Sequence, residues 1–229
     1  MEKINFTLDG QQMSVDPGTT ILEAAEENLG TAFDTRPQAE LIVVAGSEGD
    51  YYVSASLDGS RPGAFYARIS GGSQDLYGMP TLAYHEGVPG HHFQISLAQE
   101  SELPLFRNVV GFTGYAEGWA LYADQLAAEL GWYEDDPYGD LGRLQAQAFR
   151  AARLVVDTGI HAQGWTRQQA IEYMVTNVGL PEDDVTAEVE AGGAGRYGVR
   201  GVPATIMSLR ENDAAGWSLL VAYRDAAQP

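Results

Sequence analysis

The chain has 229 residues, 45% of them hydrophobic and 10% aromatic, with a formal charge of -19 from 32 acidic and 13 basic residues. That length suits one substantial core, or one main domain with a small appendage, and disfavours two large domains. The acidic balance repels phosphate backbones, which discounts nucleic acids and anionic membranes as partners; the lack of cysteine excludes disulfides, thiolate nucleophiles, iron–sulfur clusters and Cys-based zinc sites.

The opening MEKINFTLDG has neither a basic start with an apolar signal core nor a span of about 20 apolar residues, so a cytoplasmic location is expected. Residues 3–8 and 11–15 alternate apolar and polar around Asp9-Gly10, a β-hairpin pattern. Pro17-Gly18 makes a turn, and Thr19 or Thr20 caps a short helix through Asn28 that stops at Gly30. The first 30 residues therefore read as a ββα appendage. In segment 31–83, Leu41–Val44 and Tyr51–Val53 are strand candidates, followed by the Gly- and Pro-rich SLDGSRPGAFYARI; a small sheet or hairpin is expected. Helical patterning dominates from about 80 to 100 and 111 to 130. GRLQAQAFRAARLVVDTG reads as a long helix ending at Gly159, and Thr166 caps another through about Asn177. Beyond Pro181 the pattern gives way to an acidic stretch, with a strand expected around Ala204–Met207. Strand candidates followed by several helical stretches make the pattern α+β.

Three of the four histidines fall in the string HEGVPGHH, at His85, His91 and His92. Neutral imidazole is a good zinc ligand, and a catalytic zinc commonly takes three protein ligands and a water. A carboxylate beside a ligand histidine, here Glu86, can act as general base towards that water, the logic of the HExxH helix. The spacing is longer than in HExxH, with Pro89-Gly90 between the histidines. In a straight helix His85 and His92 would share a face but stand about 10.5 Å apart along the axis. A bulge or broken turn at Pro89-Gly90 could bring the second histidine closer. The preference falls on His92, with His91 kept open; the other ring would support the site or face substrate. Glu117, in GYAEGWALYADQLAAEL, lies 26 residues beyond His91 and is the candidate third ligand, against an ordinary amphipathic-helix role. His161 lies four residues after Asp157 and eight after Arg153; it could stabilise an oxyanion or simply pair with Asp157 near a helix end. Arg61, in LDGSRPG, could hold a substrate carboxylate or stabilise its turn.

The strings YYVSASLDGSRPGAFYARI, TLAYHEGVPGHHFQ, YAEGWALYAD and RAARLVVDTGIHAQGWTRQQAI, in this order across roughly residues 35–185, resemble the bacterial domain of unknown function number 885, whose members look like gluzincin peptidases. The resemblance implies an α+β, mostly helical fold, with a gluzincin-like core at 31–185, a short sheet beside the cleft and one zinc ion between two helices, flanked by the ββα appendage at 1–30 and a C-terminal segment at 186–229 that is atypical of the family. It matches His85 and one of His91 or His92 to the histidine signature, Glu86 to the base and Glu117 to the acidic residue of the EGWALY string; Tyr115 and His161 match positions that could face substrate. Two departures stand out: family members are far longer, and Arg196-Tyr197 is followed by GVRGVPATI where the family has a PGQA string. Residues 3–30 resemble the opening of a β-grasp ferredoxin domain, and GVRGVPA resembles the cis-proline loop of thioredoxin-like oxidoreductases, each without the cysteines of its model family.

The expected function is zinc-dependent hydrolysis of a peptide substrate, with Glu86 as general base. The alternative is a catalytically inactive metal-binding fragment acting as an interaction module; a thioredoxin-like binding domain is the third and weakest reading. His and carboxylate ligands also suit manganese, cobalt or iron.

Overall fold

The N-terminal pattern folds as a ββα unit. β1 (Ile4–Leu8) pairs antiparallel with β2 (Gln11–Val15), Ile4 opposite Val15, and α1 (Ile21–Asn28) follows. The helix starts where the sequence says it should, because Thr20 and Glu23 form a capping box. The Thr20 hydroxyl accepts from the Glu23 amide at 3.2 Å and the Glu23 carboxylate accepts from the Thr20 amide at 2.7 Å. These donors hold the Glu23 carboxyl below its usual range. A 3-10 turn at Leu29–Thr31 ends the helix.

The computed structural model describes residues 4–8, 11–15, 20–46, 49–69, 76–109 and 112–191. The turns at Asp9-Gly10 and Pro17-Gly18, the strand expected around Ala204–Met207 and the GVRGVPA string lie outside them.

The second sheet has three strands in the order β3-β5-β4, formed by β3 (Leu41–Gly46), β4 (Tyr51–Val53) and β5 (Gly63–Arg68). β5 is central, parallel to β3 with Leu41 opposite Gly63, and antiparallel to β4 with Tyr52 opposite Phe65. Its first three residues, Gly63, Ala64 and Phe65, are buried, which is why the segment forms a strand despite its Gly- and Pro-rich surroundings. The expected small sheet is present, and its hairpin joins β4 to β5. The turn between them is closed by Asp58, whose carboxylate accepts from the Ser60 amide at 3.0 Å and the Ser60 hydroxyl at 2.7 Å.

Eight helices occupy most of the remaining described chain: α2 (Met79–Glu86), α3 (His91–Glu100), α4 (Leu105–Val109), α5 (Thr113–Glu129), α6 (Pro137–Gln163), α7 (Arg167–Val178) and α8 (Glu182–Ala191) join α1. The fold is α+β and mostly helical. The described residues divide into two compact units, those up to 109 with 119–143, and 112–118 with 144–191.

The first unit is built on an apolar cluster of Leu22, Leu29, Tyr84, Val88, Phe93 and Tyr133, with Phe33, Leu41 and Trp119 packed on it. Phe93 and Trp119 stack at 6.2 Å, and Phe33 sits 4.4 Å from Phe93. The second unit packs α6, α7 and α8 through Val156, Ile171, Met174, Val178, Val185 and Val189. Thr166 caps α7 as expected, in a second capping box with Gln169, and Gly179 ends it in the left-handed conformation at φ 71°.

Two helix expectations needed correction. The long helix does not stop at Gly159 but continues to Gln163. Gly159 is there because the Trp165 ring lies where its side chain would be, and an added Cβ would fall on the ring. The acidic segment after Pro181 forms α8: Glu182, Asp183 and Asp184 complement the helix N-terminus, while Val185 and Val189, one turn apart, are buried. No helix among the described residues is long and apolar enough to cross a membrane.

Candidate metal centre

The string HEGVPGHH is two helix ends joined by a four-residue turn. α2 finishes at Glu86, and the Gly87 amide still donates to the Ala83 carbonyl at 2.9 Å. Pro89 has no N–H to continue the ladder, so the helix breaks. Gly90 caps α3, and an added Cβ there would fall on the carbonyls of Tyr84 and His85, so only glycine lets the turn double back this closely. Val88 is buried within the apolar cluster, and the Trp119 indole donates to the Pro89 carbonyl at 2.7 Å, which fixes the turn from outside.

This turn brings the last two residues of α2 against the first of α3. His85, Glu86 and His91 are all buried, and each offers a ligand atom within 4.8 Å of the others. The two imidazoles meet edge to face, with ring centroids 4.9 Å apart. His85 Nδ1 lies 3.2 Å from Asp124 Oδ2 of α5, and both groups are almost fully buried, at 3% and 1% exposure. That contact uses Nδ1, so Nε2 is the nitrogen that would carry a metal bond. A carboxylate on the far side of a ligand imidazole is the usual support of a metal-bound histidine. Two imidazoles, an adjacent carboxylate and this buried support therefore fit a divalent cation by the chemistry of the donor set.

The broken turn expected at Pro89-Gly90 is present, but the histidine it brings to His85 and Glu86 is His91, the residue kept open, and not the preferred His92. The His92 Nε2 lies 3.1 Å from the Ala39 carbonyl, and its Nδ1 lies 3.0 Å from the Tyr52 hydroxyl. Both ring nitrogens are thus engaged by the protein, away from the His85 group. Burial keeps the ring neutral, with its pKa lowered to about 4.

Arg61 belongs to the first unit and lines a cleft of about 510 Å³ with Ala39, Glu40, Ser56 and Glu100. Its guanidinium donates to the Ser54 carbonyl at 2.7 Å and the Pro62 carbonyl at 3.3 Å, so it holds the β4–β5 turn from within that cleft. Glu117, Tyr115 and His161 belong to the second unit. There Glu117 accepts from Arg150 at 3.3 Å, His161 Nε2 is 3.7 Å from Asp157 Oδ1, and Tyr115 is exposed. Burial raises the Asp157 carboxyl, and the nearby His161 and Arg153 oppose this.

Asp124 escaped the sequence reading. Its signal was present: an acid set among Ala120, Leu121, Ala123 and Ala127, all buried, must itself be buried and so needs a partner.

A family profile for bacterial proteins of unknown function (DUF885) matches residues 3–192. The chain belongs to this family. Among solved structures, this DUF885 chain is similar to a putative lipoprotein from Colwellia psychrerythraea, at 42% identity and a TM-score of 0.74, over 81% of this chain and 32% of that one. It also shares its fold with a putative lipoprotein of unknown function from Shewanella oneidensis, at 17% identity and a TM-score of 0.63, over 80% of this chain and 37% of the other. The DUF885 chain thus spans about a third of the length of either. No curated protein matches it.

Proposed function

We propose that this chain carries the zinc centre of a gluzincin-like metallopeptidase and hydrolyses peptide bonds, with Glu86 as general base. The observation that carries the reading is the buried convergence of His85, Glu86 and His91 across the α2–α3 turn, with Asp124 behind His85. His85 and His91 would hold the ion; zinc, when bound, supplies a Lewis acid that polarises a carbonyl and lowers the pKa of water. Glu86 takes the proton of the attacking water and passes it to the leaving amine. Asp124 keeps the His85 ring in one tautomer and orientation. Glu117 as third ligand, and Tyr115 or His161 as oxyanion donors, rest on the sequence resemblance, and Arg61 is the candidate for a peptide carboxylate.

The test is digestion of a mixed peptide library by the zinc-loaded protein, read by mass spectrometry, beside Glu86→Gln. Cleavage by wild type and none by a Glu86→Gln protein that still binds zinc supports the reading. A second reading, a metal-binding module without turnover, is favoured by GVRGVPATI standing after Arg196-Tyr197 where the family has its PGQA string. Stoichiometric zinc with no cleavage by wild type selects it.

A further inference from the structure

The third ring of the string, His92, is not idle. A carbonyl only accepts, so the His92 Nε2 facing Ala39 at 3.1 Å carries the hydrogen; in a neutral ring Nδ1 is then an acceptor, and the Tyr52 hydroxyl 3.0 Å away donates to it. The Ser96 hydroxyl, one turn along α3, lies 3.4 Å from the same nitrogen. The pair is seated on β5 at Gly63, where an added Cβ would meet the Tyr52 hydroxyl and lie 2.9 Å from His92 Nδ1. One imidazole, 2% exposed, therefore ties the first turn of α3 to β4, to β5 and to the segment leading into β3.

We infer that Tyr52, His92, the Ala39 carbonyl and Gly63 form a pin that fixes the first turn of α3, so that His91 is held in place beside His85 and Glu86, and His92 is a positioning residue. This rests on the metal-centre reading above. His91 is the first residue of α3, where a helix lacks its full set of backbone bonds and frays most easily. No side chain caps that end, as Thr20 and Thr166 cap α1 and α7. The cross-links made by His92 supply the restraint that a cap would otherwise give, and they also fix the direction in which the neighbouring His91 ring leaves the helix. Binding a metal through His92 would require giving up the Tyr52 or the Ala39 bond, both in a buried setting where an unmade hydrogen bond is costly.

The chain has only four histidines, so their imidazole nitrogens can be followed individually by NMR on labelled protein, zinc-free and zinc-loaded. The expected result is that zinc shifts the rings of His85 and His91 while His92 keeps its Nε2–H tautomer in both states. Zinc affinity, measured by competition with a chromophoric chelator, is expected to fall about tenfold or more in Tyr52→Phe and Gly63→Ala. Leu29→Ala, a core variant of the same unit, serves as control: it lowers the melting temperature, and its zinc affinity is expected to change less than about twofold, because packing loss alone does not redirect a ligand. A zinc-induced shift of the His92 ring makes it a ligand and overturns the pin while leaving the metal centre standing. Wild-type affinity in Tyr52→Phe also overturns the pin. If no ring responds to zinc, the metal centre itself falls, and the pin falls with it for want of a ligand to position.

Discussion

Asp124→Asn separates the metal-supporting role of this carboxylate from its contribution to folding. The side chain is 1% exposed, Oδ2 is 3.2 Å from His85 Nδ1, and Oδ1 has no hydrogen-bond partner among the described residues. Asparagine keeps the shape and can still accept from Nδ1–H, but it removes the charge that raises the basicity of the opposite ring nitrogen. Loss of such a supporting carboxylate typically weakens metal binding 10–100-fold, which is about 1.4–2.7 kcal/mol. Folding of the zinc-free protein should move much less. The weakened His85 contact costs about 1–3 kcal/mol, while relief of a buried charge with one oxygen unpaired returns a similar amount. The net effect is expected below about 1 kcal/mol, a change of about 2–4 °C in Tm for a chain of this size. Zinc affinity from chelator competition and the melting temperature of the zinc-free protein give the two numbers. An unchanged affinity, or an affinity loss matched by a proportionate fall in zinc-free stability, would refute the supporting role.

Gly90→Ala places a Cβ on the carbonyls of Tyr84 and His85, backbone atoms that cannot step aside, so the α2–α3 turn must shift. A loss of about 1–3 kcal/mol in urea unfolding is expected, together with loss of zinc binding. Gly159→Ala tests packing against propensity within α6: the helix alone would gain about 1 kcal/mol from alanine, but the Trp165 ring makes the expected outcome a net loss of about 1–3 kcal/mol. The Asp58 carboxyl, held down to about 2 by hydrogen bonds from Ser56 and Ser60, should titrate near that value by carbon-detected NMR. Because its folded pKa lies below the ordinary 3.8, its support of the β4–β5 turn is complete above about pH 4 and is lost as pH falls through about 2. A midpoint near the ordinary value would show that the turn does not hold it.

Local chemistry was legible wherever a few neighbouring residues decide the structure. Thr20 with Glu23 and Thr166 with Gln169 announce their helices in the sequence, since each box is closed within four residues. The mostly helical fold and the small sheet followed from periodicity. What could not be read depends on distant partners. Whether Gly159 stops a helix or makes room for a ring is decided by Trp165, and α8 is stabilised by burying Val185 and Val189 against α6 and α7. At the site, HEGVPGHH marked the histidines, but the choice between His91 and His92 turns on the path of residues 87–90 and on Tyr52 and Ala39, both about 40 or more residues upstream of His92. For Asp124 it was the partner that was hidden for the same reason, His85 lying 39 residues earlier.

Whether His85 and His91, supported by Asp124, hold one metal ion is decided by elemental analysis of purified wild type, His85→Ala, His91→Ala and Glu117→Ala at matched concentration, with circular dichroism to verify folding. About one zinc per wild-type chain is expected after reconstitution and none in His85→Ala or His91→Ala, while Glu117→Ala shows whether the ligand suggested by the sequence belongs to the set. Folded wild type that takes up no zinc, or a His91→Ala protein that retains it in full, would remove the metal centre.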